Sequence, residues 1–292
     1  MNKNPFSFYD FLGYLFPGII ILALTVFAVA LAKESAPIEE YFQINKFVDV
    51  FQDKQGLKWW ETTILTIILA YVAGHIFSYL SSVMVEYLPN RLFGYPSHYL
   101  LHTENISPKM LFQRYFVLDR NPGRLLWRII VVFALFPLIP LLFWGKCLKI
   151  TDFIVRPLDD YVRNSIQRKL VQLSRTLNLD IPDVNSKADY HRIVMHYVYL
   201  NIPNCQRKAD NYVAIYGFLR TMTLIACIYF DYFFYWQVFT LNIHAGVNWN
   251  AVLILLLMGI LCNVLFMGFV KFYRRFTLEN YMALLTEKTT SQ

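Results

Sequence analysis

The sequence predicts an all-α protein: a polytopic membrane helical bundle of four spans plus a re-entrant or fifth segment, joined to a small helical cytoplasmic portion. Three observations predict it. Of the 292 residues, 57% are hydrophobic and 16% charged, against roughly 45–50% and 25% in soluble domains. The apolar residues lie in long uninterrupted runs, which a bilayer demands and a soluble core does not. Basic residues cluster between those runs and give the chain a formal net charge of +7, the usual mark of a cytoplasmic face.

The first run covers 11–32, with Pro17 and Gly18 near its start, and is long enough to span. Ala30-Leu31-Ala32 before Lys33 has the form of a cleavage site, but the run is too long for a signal-peptide core and is expected to be retained. Residues 33–60 are polar to amphipathic. Ile44, Phe47, Val48 and Phe51 fall on one helical face, as in a helix lying on the membrane surface. Trp59 and Trp60 then form an aromatic belt before a second span over 62–85.

The basic, tyrosine-rich segment 86–128 is expected to be interfacial, with Ser107-Pro108 starting a short helix that runs to Leu118. The third run, 129–145, contains Pro137 and Pro140. Two prolines three residues apart remove backbone donors from a short span and favour a re-entrant hairpin or a kinked helix. Residues 146–210 form the longest polar stretch and are expected to be a cytoplasmic helical region. Val162, Ile166, Leu170, Leu173 and Leu177 give one apolar stripe, and Tyr190, Val194, Tyr197 and Val198 another, so two amphipathic helices packed on each other are expected. A membrane hairpin completes the chain over 211–292, with spans 212–241 and 251–270 and a cytoplasmic tail that begins with Lys271, Arg274 and Arg275.

Basic-residue counts set the orientation. With four spans, a re-entrant 129–145 and a cytoplasmic N-terminus, 22 Lys and Arg lie inside and 4 outside. With five spans the better solution gives 19 inside and 7 outside. Both place 146–210 and the C-terminus in the cytoplasm, and the first has the stronger bias. A cell inner membrane is the expected location.

Arg220 and Asp231 lie on one apolar run, 11 residues and therefore about 16 Å apart. An apolar layer of about 30 Å cannot exclude both. Intramembrane charges face protein or water-filled cavities and take partners there. His75 and Asn263 are the candidate partners. The four residues form an expected intramembrane polar cluster, either a pore lining or proton relay or an interhelical hydrogen-bond set that holds the bundle. A second candidate is a basic surface for an anionic ligand, protein partner or anionic lipid, made of Arg163, Arg168, Lys169 and Arg175 with Arg207 and Lys208 just before the fourth span. His98 and His102, spaced i, i+4, are a weak metal candidate. Six histidines with no adjacent pair do not make the histidine boxes of a membrane di-iron enzyme, and the four cysteines have neither disulfide-framework nor zinc spacing.

No nucleophile-elbow, phosphate-loop, zincin or dinucleotide motif occurs, and no cofactor is expected. In a membrane chain the basic balance argues for anionic lipid over nucleic acid. The chain therefore reads as an integral membrane effector or channel-like protein, self-associating, whose bundle is coupled to a basic cytoplasmic helical region. The alternative is a non-catalytic anchor or accessory subunit that docks a cytoplasmic partner, with stress or phage defence as a setting. A lipid-modifying enzyme is the least favoured, for want of an acid, base or nucleophile constellation.

Overall fold

The computed structural model describes residues 10–32, 59–101, 122–141, 156–179, 190–240 and 249–287. The surface helices expected around 44–51 and 107–118, His102 and the 242–248 turn lie outside them. Among the described residues the chain is helical throughout and has no strand. A π-helical turn, Phe11–Leu15, leads into α1 (Phe16–Ala32), followed by α2 (Trp59–Met84), α3 (Tyr87–Phe93), α4 (Pro96–Leu101) and α5 (Pro122–Ala134). A 3-10 turn, Phe136–Leu138, precedes α6 (Asp160–Thr176), α7 (His191–Asn201), α8 (Pro203–Thr240) and α9 (Trp249–Thr286). Four segments, on α1, α2, α8 and α9, are long and apolar enough to cross a membrane.

The two terminal helices exceed the runs that predicted them. Helices α8 and α9 have 38 residues each, about 57 Å at 1.5 Å per residue, nearly twice an apolar layer of about 30 Å. No proline interrupts either one after Pro203, so each continues from its apolar half into a polar one. They run antiparallel. Leu219 lies over Gly268, Phe230 over Gly259, and Lys208 pairs with Glu279 at 2.7 Å.

Helix α8 is the hub of the membrane-length set and its most enclosed member. Helix α1 runs parallel to it, with Phe16 near Phe218 at one level and Thr25 Oγ1 2.9 Å from Tyr229 Oη higher up. Helix α2 returns antiparallel to α1, and here two backbones touch. A Cβ on Gly18 would strike the carbonyl of Ala70, and one on Gly74 the carbonyl of Tyr14, so only glycine allows this approach. The outer faces of α2 and α9 expose Ile64, Ile67, Ile68, Leu253, Leu256, Leu257 and Leu261, an apolar belt suited to lipid.

The main core lies toward the end of α9 that carries Arg274 and Arg275, here called the basic end. Leu88, Leu92, Phe93, Leu100, Ile166, Leu170, Leu173, Val194, Val198, Phe266, Phe269, Tyr281 and Leu284 are buried together there. Gly94, with φ +83°, makes the turn between α3 and α4, a conformation that costs other residues a Cβ clash.

Three expectations are corrected. The amphipathic helices α6 and α7 do not form a pair of their own; each packs chiefly on α9, whose second half buries Phe276, Tyr281, Ala283 and Leu284. Leu177 does not continue the α6 stripe and is 41% exposed. The helix stops because Asn178 takes φ +52°, and Leu179 N donates to Ser174 O (2.8 Å) and Asn178 N to Arg175 O (3.2 Å), a Schellman stop with asparagine in the glycine position. At its other end, Asp159 accepts from Val162 N at 2.9 Å, an N-cap. The third correction concerns where the proline-broken run starts to be helical. Its helix begins at Pro122 and ends at Ala134, since Pro137 has no N–H to continue it. The 3-10 turn that follows buries Pro137 and Leu138.

Candidate functional site

Arg220 has the most elaborate polar surroundings in the apolar part of the bundle, and they begin with the end of α2. Ser81 O accepts from both Val85 N (2.9 Å) and Glu86 N (3.2 Å), so the last turn of α2 widens to include an i→i+5 bond. That turn carries Glu86 toward α8. Arg220 on α8 meets it: Nη1 donates to Glu86 Oε2, Nε to Ser81 Oγ at 3.2 Å and Nη2 to Ser78 O at 3.4 Å. Ser81 Oγ also lies 3.3 Å from Thr221 Oγ1, which donates to Gly217 O at 3.0 Å. The side chains of Arg220 and Glu86 are 12% and 23% exposed, so the pair is screened little by water.

The other members of the expected cluster occupy separate places. His75 stacks on Tyr14 with ring centroids 3.7 Å apart and meets the edge of Tyr71 at 4.5 Å. Asn263 Nδ2 donates to Pro137 O at 3.0 Å and to Gly259 O at 2.7 Å, so it serves the broken turn. Asp231 is half-buried and makes no hydrogen bond or ion pair among the described residues; its electrostatic neighbour is Cys227 one turn back. The four residues thus have separate neighbours in this packing. Glu86 is the member that sequence reasoning missed. The available signal was that it is the one carboxylate between Glu61 and Glu104.

The basic surface is likewise divided. Arg163 pairs with Asp160 at 2.5 Å and Lys208 with Glu279. Arg168 and Arg175 line an open groove of about 680 Å³ along α6, with Asn164, Gln167, Val171 and Gln172. Lys169 is half-exposed outside that lining and Arg207 is exposed at the start of α8. Helix α7 joins both long helices. Tyr199 Oη donates to Asp210 at 2.8 Å, and Tyr197 Oη to Glu287 at 2.8 Å. The Asp210 carboxylate, as acceptor, raises the Tyr199 phenol above its usual range; partial burial, then the Glu287 bond, does the same for Tyr197. His98 lies on α4, and no three His, Cys, Asp or Glu side chains converge among the described residues.

These features define an all-helical chain with four membrane-length helices, a buried Arg–Glu pair and a helical portion on its basic end. No protein-family profile, curated protein or solved structure matches it.

Proposed function

We propose that the protein is an integral membrane effector whose spanning bundle responds to what binds its basic helical portion. One observation carries this reading: α8 and α9 each run without a break from the apolar layer to the helices α6 and α7. A ligand or partner that favours one packing of α6 and α7 therefore acts on the spans directly, by as much as it prefers that packing.

The orientation that accompanies this reading has four spans, both termini and 146–210 in the cytoplasm, and 129–145 re-entrant. In support, Arg128 contacts Tyr87 (3.4 Å) and Arg156 contacts Arg274 (2.8 Å), both at the basic end, while Pro137 between them meets Asn263 within the apolar half of α9. The charge count favours the same solution. Labelling of Ser174→Cys in intact cells by an impermeant reagent would overturn it.

The functional test uses the full chain in vesicles. Arg168 and Lys169 are reversed to glutamate, and separately Asn211→Pro breaks α8 where it is exposed. Solute permeability above protein-free vesicles that both changes alter supports the effector reading. Permeability equal to that of empty vesicles, with partner capture still sensitive to the charge reversal, replaces it with the docking-anchor reading.

A further inference from the structure

Among the described residues, the buried donors without a hydrogen-bond acceptor at the basic end include the Tyr99 hydroxyl and Arg274 Nε. Tyr99, on α4, is 7% exposed, and its hydroxyl makes no hydrogen bond among the described residues. Arg274, on α9, donates through Nη2 to the main-chain carbonyl of Arg156 at 2.8 Å, but its Nε is buried and makes none. The two side chains are electrostatic neighbours. Their positions are fixed by three pieces of chain held together: Leu158 N donates to Leu100 O at 3.2 Å, tying 156–158 to α4, and the Arg274–Arg156 bond ties the same stretch to α9.

Charge points the same way. The ionic neighbours of Arg274 are Arg156 and Arg275, both exposed. Glu86 is already engaged by Arg220. A buried donor without an acceptor is unfavourable, and three guanidinium groups around these donors call for an anion. Water would satisfy the donors yet leave the charge. The position narrows the anion further, because Arg274 and Arg275 follow the apolar run of α9 within a turn or so, at the level where lipid phosphates lie. Guanidinium groups suit phosphate geometry in particular.

We propose that this corner binds a phosphoryl group, with Tyr99 Oη and Arg274 Nε donating from a buried floor and Arg156 and Arg275 forming a cationic rim. The chemistry is common to an anionic phospholipid headgroup and a soluble phosphate compound. The site does not rest on the effector reading above, since its test measures binding and no permeability.

The full-length protein, delipidated in neutral detergent, is titrated with dioctanoyl phosphatidylglycerol, dioctanoyl phosphatidylcholine and inorganic phosphate, and binding is followed by thermal midpoint and tryptophan fluorescence. The expected result is saturable binding of phosphatidylglycerol. It weakens roughly tenfold or more in Arg274→Gln, since a hydrogen bond to a charged group is worth about 1.5–3 kcal/mol, and several-fold in Tyr99→Phe and Arg156→Gln. Tyr99→Phe keeps the ring and Arg156 is exposed, so these two keep the test sharp if Arg274→Gln folds poorly. Binding of inorganic phosphate with the same dependence, and none of phosphatidylglycerol, assigns the site to a soluble phosphate compound. No saturable binding of either, equal binding of phosphatidylcholine, or binding indifferent to Tyr99→Phe and Arg156→Gln overturns the proposal.

Discussion

Removing one partner of the Arg220–Glu86 pair isolates what it contributes. In Glu86→Ala the guanidinium keeps Ser81 Oγ and Ser78 O but loses its counter-charge in a place where it is 12% exposed. Stranding one charge of a buried pair costs about 3–5 kcal/mol. With roughly 2–4 °C per kcal/mol for chains of 150–250 residues, the thermal midpoint falls by roughly 6–20 °C. Glu86→Gln falls less, because the amide oxygen still accepts from Nη1. Arg220→Met fills similar volume with an apolar chain but strands Glu86. The double variant Glu86→Ala, Arg220→Met strands nothing and recovers most of the loss, since replacing a buried pair by apolar groups is often neutral. The assay is fluorescence-detected thermal unfolding in one detergent, read as a double-mutant cycle. Single variants at the wild-type midpoint, or losses that simply add, would refute the reasoning.

Three further outcomes are expected. Gly18→Ala and Gly74→Ala each place a Cβ against a backbone carbonyl that cannot give way and abolish the monodisperse species in size-exclusion chromatography; Gly268→Ala, whose neighbour is the Leu219 side chain at 3.2 Å, retains it. Cys227 and Cys262 are buried thiols that neighbour each other between α8 and α9, so a membrane-permeant oxidant joins them within one chain, seen as loss of two alkylatable thiols and absent in Cys262→Ser; two persisting thiols would contradict this register. Tyr197 and Tyr199 have phenols raised above the usual value, so their contribution to holding α7 is complete below about pH 10 and is lost as pH rises through the higher folded values. Ultraviolet titration should show a late-ionising fraction that Tyr197→Phe and Tyr199→Phe remove.

The membrane-length helices were legible in the sequence because apolar length alone separates a span from a core segment, and Pro137 announced the break after Ala134 by chemistry confined to one residue. Helix ends were less legible. Hydropathy marks where polarity changes, and α8 and α9 continue through that change with no proline to stop them. Leu177 looked like one more member of a stripe because the left-handed Asn178 beside it leaves no periodic trace. The partner of Arg220 was hidden for a different reason. Arg220 and Asp231 were matched with residues at similar depth in apolar runs, whereas Glu86 stands 134 residues from Arg220 in a segment that reads as interfacial. Tyr99 was hidden in the same way: burial of a tyrosine on a six-residue helix depends on distant chain.

The backbone contact between α1 and α2 also bears on the order of assembly. About 120 residues separate the end of α2 from the start of α8, which at roughly 5–20 residues per second is many seconds of synthesis. The glycine-to-carbonyl contacts need nothing from the later chain. The N-terminal hairpin therefore closes first and stands in the bilayer as a finished template, with Phe16 and Thr25 ready to receive the helix that carries Phe218 and Tyr229. Two separately expressed halves, divided between α5 and α6, should find each other in the membrane and restore the Arg220–Glu86 contact without a covalent link.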